Sequence, residues 1–506
     1  MTFFRKVSKL MLLGALPCFS APVYAATDSN QSPDNNAAVK AVYEEWDLPG
    51  DESMGMVGLG VSHELSDYFS MGIGTWMAVR GERGGFITLG IDGTLHVPLT
   101  DRLGLESGVF VGAGGGRGGY NLSGGGLMLR THAALTCRIG SWGSLGAGVS
   151  YVDFPNSGSI SSVQPFVSLS LPFYFPVEGG MERNADRISS RQDPPRKHSL
   201  AIIGRDLQVS SSTNTLSGGD QDNLALLGIE WRTYFDETWY AKLEMEGAAS
   251  RGSTGYMQIL TGVGARLPLS DDFYATADIS VGGGGGGGVD TGGGLLFDAS
   301  AGLQLFLTDN FFAGVSGGYL TSFSGGFEST SIALNLGYEA GRGQDRNLSR
   351  TAAKGDDAEY LRVRLVNQTY FKADDHWRTH HVDEDIQNLG VQIDYFLDRN
   401  WYLSGQGLAA YDGNAGAYMT GLLGAGIRKN ITDRFYLNVE ALAGAAGGGG
   451  VAVGSGLVWQ GNLGLGYDIT PAISVMATAG RMEAFDGDFR SNVLGLSLGY
   501  NFNSPL

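Results

Sequence analysis

Three times in 506 residues an apolar alternating segment runs into a tract of glycine, turns within a few residues, and re-enters an alternating segment through a second short glycine step. Residues 109–129 read VFVGAGGGRGGYNLSGGGLML, residues 281–297 read VGGGGGGGVDTGGGLLF, and residues 442–459 read LAGAAGGGGVAVGSGLVW. A run of glycine by itself describes a flexible linker. Strand-like alternation on both sides describes a hairpin instead, and glycine inside a strand marks a place where the backbone bends sharply or is approached closely. The chain is therefore an internal three-fold repeat with three equivalent tight places.

Composition narrows the class. Of the residues, 81 are glycine, 10% are aromatic and 17% are charged, too apolar for a disordered chain. After the first 25 residues no continuous apolar run approaches the roughly 20 that a membrane helix needs, so helical membrane proteins are excluded. Arg5, Lys6 and Lys9 precede the apolar run LMLLGALPCF, and Val23-Tyr24-Ala25 precedes Ala26. That is the plan of a secretory signal peptide over 1–25. Cys18 falls within it, leaving Cys137 as the one cysteine of the mature chain and no disulfide framework. A formal charge of −18 argues against nucleic acid, which needs a basic face.

Residues 26–36 (ATDSNQSPDNN) read as a disordered lead-in. Beyond them a tight turn of Ser, Thr or Asp recurs, flanked by aliphatic and aromatic residues. It stands at Leu65-Ser66-Asp67-Tyr68-Phe69, Leu99-Thr100-Asp101-Arg102-Leu103, Phe235-Asp236-Glu237-Thr238-Trp239 and Leu269-Ser270-Asp271-Asp272-Phe273, and again at Leu307-Thr308-Asp309-Asn310-Phe311, Leu397-Asp398-Arg399-Asn400-Trp401 and Ile431-Thr432-Asp433-Arg434-Phe435. Asp and Asn suit turns because their side chains bond the backbone locally. The ring of aromatics suits a strand that leaves hydrocarbon for headgroups. Between turns the residues alternate. Leu494, Leu496, Leu498, Tyr500 and Phe502 oppose Gly495, Ser497, Gly499 and Asn501; Ile332, Leu334, Leu336 and Tyr338 oppose Ala333, Asn335 and Gly337; Val167, Leu169, Leu171 and Phe173 oppose Ser168, Ser170 and Pro172. Apolar outside and small or polar inside is the membrane-barrel pattern. A soluble sandwich alternates too, with the faces exchanged, and the aromatic strand ends decide between them.

The third repeat predicts eight strands near 360–371, 386–397, 401–411, 417–430, 435–446, 456–468, 473–484 and 490–502, joined alternately by short turns and longer loops. The second repeat gives the same eight. In the first, the opening strand around Val39–Trp46 is weak, so the count there is seven or eight. Segments 85–99, 255–269 and 417–431 occupy the same place in each repeat, at offsets of 170 and 162 residues. The expected organisation is repeat one over 37–176, a charged linker over 177–197, repeat two over 198–340, a second linker over 341–357 and repeat three over 358–506.

Each repeat, with its alternating strands, short Asp-rich turns, longer loops opposite and an ending of Gly495, Leu498 and Tyr500, resembles the small eight-stranded outer-membrane β-barrel proteins of Gram-negative bacteria. Asn503-Ser504-Pro505-Leu506 follow Phe502 where a final aromatic is usual in that class. The resemblance implies an all-β, antiparallel transmembrane barrel in the cell outer membrane, in contact with outer-membrane lipid and lipopolysaccharide. It also implies that the barrel assembly machinery reads the terminal strand. Both linkers and both termini would face the periplasm and the longer loops the outside. The implied role is structural, binding or transport, with no reaction, no cofactor and an unidentified ligand. A single large pore or secretion channel, a lipid-modifying outer-membrane enzyme and a secreted β-structured adhesin are the alternatives.

Candidate chemistry is sparse. The first loop of repeat three gathers Asp374, Asp375, His376, His380, His381, Asp383, Glu384 and Asp385, and His376, His380, His381, Asp383 and Asp385 form a candidate divalent-metal set. Without cysteine, fixed ligand spacing or an equivalent in the other repeats, a solvated loop is the favoured reading. The sixth strands point Arg130 and His132, Asp298 and Ser300, and Gln460 and Asn462 inward, with Asp278 and Glu440 inward on the fifth. Charged and polar filling of a small barrel accounts for them. A catalytic reading needs a nucleophile, base and orienting group together, and the sequence offers His132 no evident partner. The glycine tracts lack the helix start, Lys and Ser or Thr of a phosphate loop.

Two architectures satisfy the strand count: one barrel of about 24 strands or three barrels of about eight. A water-filled barrel has a densely charged inner wall, whereas Gly495, Ser497, Gly499 and Asn501 describe a crowded one. The two long linkers also give each repeat its own start and end. Three tandem small barrels are expected.

Overall fold

The computed structural model describes residues 36–116, 126–140, 142–156, 158–173, 178–179, 197–250, 252–340, 360–372 and 384–503. The signal peptide, nearly all of the lead-in, most of both linkers, the second half of the first glycine tract, and His376, His380, His381 and Asp383 lie outside them. Among the described residues every regular element is a strand.

The first barrel comprises β1 (Ala37–Leu48), β2 (Glu52–Ser66), β3 (Phe69–Arg80), β4 (Ile87–Pro98), β5 (Leu103–Gly115), β6 (Leu127–Ile139), β7 (Gly143–Asp153) and β8 (Ser161–Phe173). After a two-residue strand β9 (Glu178–Gly179), the second comprises β10 (His198–Val209), β11 (Leu224–Tyr234), β12 (Trp239–Ala248), β13 (Met257–Pro268), β14 (Phe273–Gly285), β15 (Leu295–Phe306), β16 (Phe311–Ser322) and β17 (Glu328–Ala340). The third comprises β18 (Tyr360–Phe371), β19 (Ile386–Phe396), β20 (Trp401–Asp412), β21 (Met419–Asn430), β22 (Phe435–Gly447), β23 (Leu457–Asp468), β24 (Ile473–Ala484) and β25 (Arg490–Asn503). All neighbours are antiparallel, and each repeat closes on itself through β1–β8, β10–β17 and β18–β25. Three closed eight-stranded barrels stand where one large barrel was the competing expectation. Closure removes the exposed sheet edges that a membrane could not satisfy.

The strand reading of repeat three agrees with the structure to within about two residues at each boundary. The opening strand of repeat one is complete, with twelve residues paired to β2 from Ala37↔His63 to Leu48↔Glu52. It looked weak because Glu44 and Glu45 interrupt its apolar pattern. Glu44 is turned into the lumen and is buried.

The recurrent turns hold by one device. Asp236 Oδ1 accepts the backbone N–H of Thr238 (2.7 Å) and Trp239 (2.8 Å), and Asp398 Oδ1 accepts those of Asn400 (2.7 Å) and Trp401 (2.8 Å). These backbone donors favour the ionised carboxylates and hold both pKa values below the ordinary range. Where Thr leads the turn, its hydroxyl takes the place of the carboxylate, as Thr100 does for Leu103 (3.0 Å), Thr308 for Phe311 (3.1 Å) and Thr432 for Phe435 (3.0 Å).

The barrel exteriors are apolar and the interiors polar, as the alternation predicts. Leu494, Leu496 and Leu498 are exposed while Ser491, Val493 and Ser497 are buried, and Ile332, Leu334 and Leu336 are exposed while Ser331 and Ala333 are buried. Tyr68, Trp142, Phe235, Trp239, Phe311, Trp401 and Phe435 ring the turn end, and Phe323 and Phe485 lie at the loop end. Strands of ten to fifteen residues between two aromatic girdles have the length and surface of transmembrane β-strands.

Candidate functional site

Side chains occupy the interior of each barrel. At the loop end of the first, Trp46, Met54, Met56, Trp76, Phe86 and Phe154 form an apolar plug. Leu207, Tyr256, Val289, Leu296 and Phe327 do the same in the second, and Tyr370, Tyr418, Val451, Val453 and Phe489 in the third. Val289 and Val451 come from the turns of the glycine tracts, which fold inward over the lumen.

Below the plugs the interiors are ion networks. In the first barrel Glu44 accepts from Arg130 Nη2 (2.8 Å), Trp46 Nε1 (2.7 Å) and Ser150 Oγ (2.9 Å). Arg130 Nη1 donates to His132 Nδ1 (3.0 Å), His132 Nε2 donates to Glu106 (3.0 Å), and Lys40 pairs with Glu106. In the second, Arg205 reaches Glu244 (2.9 Å), Glu246 (3.0 Å) and Asp298 (3.1 Å), while Lys242 pairs with Glu244 (3.0 Å) and Asp278. In the third, Asp394 lies between Arg362 and Arg364, each 2.8 Å away, and Arg364 also pairs with Glu440.

Toward the turn end of the second and third barrels aromatic rings cover these charges. Arg266 lies over Tyr234 at 4.1 Å and Arg428 over Tyr436 at 3.9 Å, within cation–π reach. The Tyr240 and Tyr402 rings lie against Gly264 and Gly426, where an added Cβ would overlap ring carbons. Of the space left inside the second barrel, a cavity of about 10 Å³ is bordered by Glu230, Arg232, Lys242, Glu244 and Asp278. It has the size of a single water.

The inward residues predicted from sequence are therefore where they were expected. Arg130, His132, Asp278, Asp298, Glu440, Gln460 and Asn462 are all buried. Two readings change. His132 has partners on both ring nitrogens, Arg130 two residues away on β6 and Glu106 on the adjacent β5. The inner walls are also more highly charged than the β25 sequence implies, because β25 is a small-residue side against which the Arg362 and Arg364 side chains of β18 lie. Of the candidate metal set only Asp385 is described, and its Oδ1 accepts the backbone N–H of Lys372 (2.8 Å).

The glycine tracts have a second role that the sequence did not reveal. Gly286, Gly287 and Gly288 have φ of 94°, 58° and 84°, and Gly448, Gly449 and Gly450 have φ of 92°, 60° and 80°. Three consecutive left-handed residues are open only to glycine, and their recurrence shows that the two hairpins are copies. These hairpins also lie against the neighbouring barrels. Strand β5 of the first barrel meets β20 of the third, β22 of the third meets β11 and β12 of the second, and β14 and β15 of the second meet β3 of the first.

In each contact the fifth strand of one barrel meets the third of the next, and between the first and third barrels β4 also packs on β19 and His63 of β2 meets Phe502 of β25. The three contacts close into a ring, a heterologous interface with cyclic symmetry inside one chain. Small residues line the seam. A Cβ on Gly115 would meet Ala417, on Gly447 the backbone of Gly255, and on Gly293 the backbone of Arg80. Gly84 N donates to Gly292 O (2.8 Å) across the first–second seam, and Thr254 Oγ1 to Gly454 O (2.9 Å) across the second–third. Met77, Ile87, Leu243, Met245, Met257, Ile259 and Met419 fill the centre where the three barrels meet.

No family model matches the sequence, and no curated protein matches it. Among solved structures, a designed transmembrane β-barrel aligns with 29% of this chain and 98% of its own at 13% identity and a TM-score of 0.21. The siderophore receptor PirA of Acinetobacter baumannii aligns with 92% of this chain and 80% of its own at 12% identity and a TM-score of 0.27, and OccK11 (OpdR) of Pseudomonas aeruginosa with 92% and 94% at 13% and 0.22. At these TM-scores the likeness carries no argument, and the assignment of architecture rests on the barrels themselves.

Proposed function

We propose that this outer-membrane β-barrel protein is a binding scaffold that conducts no solute and carries out no reaction. The observation that carries the reading is the filling of all three lumens by an apolar plug and a salt-bridged interior. A porin-type channel leaves an aqueous path, and here side chains occupy it. What is left to act is the loop face.

The seam lies at the loop end, so the described loop-end connections of the three barrels share one side of the molecule. The described loop between β10 and β11 is a built structure. Thr215 N donates to Gly219 O (2.7 Å), Gln221 N to Thr213 O (3.1 Å), and Thr215 pairs with Val289 of the glycine hairpin. Strand parity puts the linkers and termini with the short turns, which in barrels of this kind are periplasmic. The loop face is then the outer one. Folding would pass through the barrel assembly machinery, with β25 as the terminal strand, and the apolar walls would contact lipid and lipopolysaccharide.

His132 supports the non-enzymatic reading. It is buried between Arg130 and Glu106, both of which use its ring nitrogens, and no approach for a substrate carbonyl is left. The test is planar-bilayer recording of the purified full-length protein. Insertion without stable nanosiemens steps is expected, and a large permanent conductance would sink the proposal. Lipid A and phospholipid profiles that change on expression would overturn the absence of a reaction.

A further inference from the structure

The lumen of the second barrel is out of charge balance. Four buried cations, Arg205, Arg232, Lys242 and Arg266, face six buried carboxyls, Glu230, Glu244, Glu246, Asp278, Asp298 and Glu339, so full ionisation would leave two negative charges uncompensated. The third barrel is balanced, with Arg362, Arg364 and Arg428 against Asp394, Glu440 and Asp468. The excess in the second is local. Arg266 and Glu339 pair with each other (2.6 Å), which leaves five carboxyls around Arg205, Arg232 and Lys242. Arg205 alone serves Glu244, Glu246 and Asp298, Lys242 is divided between Glu244 and Asp278, and Arg232 faces Glu230 (2.9 Å). Asp298 is fully buried, and its Oδ2 has no hydrogen-bond partner among the described residues.

Glu230 and Glu244 stand directly opposite each other in the β11–β12 register, and their carboxyls are hydrogen-bonded to each other. Two carboxylates have no donor between them, so that bond needs a proton. We propose that the second barrel is a pH-sensitive, proton-holding unit: its lumen retains two protons at neutral pH, one shared by Glu230 and Glu244 and one held by Glu246 and Asp298 around Arg205, and their loss in alkali loosens the barrel. A buried carboxylate without its own cation costs more than its ionisation returns, and the group stays neutral instead. A metal ion does not fit the same excess. The described residues contain no group of three His, Cys, Asp or Glu arranged to hold one, and the water-sized cavity beside Glu230 and Glu244 is bordered by Arg232 and Lys242 as well. Nothing else facing this lumen titrates near neutrality. Its other ionisable groups are Tyr234, Tyr240, Tyr256 and Tyr274, whose ordinary value is about 10, and His198 lies against Trp231 on the outer wall. The folded barrel therefore binds protons that ordinary carboxyls of the unfolded chain have already released. Its stability is greatest in mild acid and falls as pH rises, by about tenfold in the folding equilibrium per pH unit for each proton retained, until the folded barrel releases them.

The inference rests on the buried lumen and stands apart from the scaffold reading. Full-length protein in detergent would be examined by infrared spectroscopy in heavy water at neutral and alkaline pH, and by urea unfolding over the same range. The native protein should show the carbonyl stretch of a protonated carboxylic acid at neutral pH and lose it in alkali. Glu230→Gln keeps a donor for Glu244 and has no proton to release. It should be at least as stable as the native protein at neutral pH, and its loss of stability toward about pH 9 should be shallower by about tenfold in the equilibrium per pH unit. The difference between the two slopes isolates the pair from every other titrating group of the chain. Glu339→Gln, which removes the partner of Arg266 outside the cluster, should lower stability at every pH and leave both the band and the slope unchanged. A native spectrum without the protonated-acid band at neutral pH would overturn the proposal. So would a Glu230→Gln protein that is destabilised with its slope unchanged, which is how an ordinary ion-paired glutamate behaves. Should that variant fail to fold, the native spectrum still decides.

Discussion

At the scale of single residues, the interiors are held by charges whose partners come from several strands. Asp394 is fully buried and accepts from Arg362, Arg364, Ser404 (2.8 Å) and Gln392 (3.1 Å). Such an ion cluster is weak evidence of net stability, but removing one partner strands the others in a low dielectric at a cost of about 3–5 kcal/mol. Asp394→Ala, which leaves two guanidinium groups without their shared carboxylate, should therefore destabilise the third barrel by an amount of that order and lower its urea midpoint. Unfolding followed by loss of the heat-modifiable band checks it. A midpoint unchanged from the native chain would mean that the network contributes nothing the aromatic packing does not.

At the scale of elements, the glycine hairpins combine two constraints that separate substitutions can distinguish. Gly447 has an ordinary backbone, and an added Cβ would stand 2.6 Å from Gly255 N across the seam. Gly447→Val should therefore leave the third barrel closed while loosening its contact with the second, an overpacking effect of about 1–3 kcal/mol. Urea titration of the full chain should show the two barrels unfolding further apart than in the native protein. Gly204→Ala, where an added Cβ meets nothing within 4 Å, is the control and should be silent. The turns need no such fine fit. A leading Asp or Thr accepting two residues or three residues ahead satisfies them wherever the flanking strands place them.

At the scale of the whole molecule, each barrel closes with its own first and last strands, and the strand pairing between repeats is limited to the two residues of β9 against β25. The fragment 358–506 should accordingly fold by itself in detergent and shift on gels when boiled. Its stability should fall short of the full chain, because the seam face of Ala409, Gly447 and Met419 loses its cover. A fragment that never becomes heat-modifiable would show that the ring of seams, and not barrel closure, is what makes each repeat fold.

The sequence by itself determined the strands, their alternation, the turns, the three-fold repeat and the all-β membrane class, because each is written in local periodicity of two and in turn chemistry. It also named most inward residues, since inside and outside simply alternate. Tertiary structure decided what those residues touch. His132 finds Glu106 only because β5 lies beside β6, and Arg205 finds Glu246 across the lumen. The glycine tracts could be read as tight places, yet nothing along the chain says that the tightness is the backbone of another barrel. That relation joins residues such as Gly255 and Gly447, nearly two hundred positions apart, and it exists only once three closed barrels stand side by side.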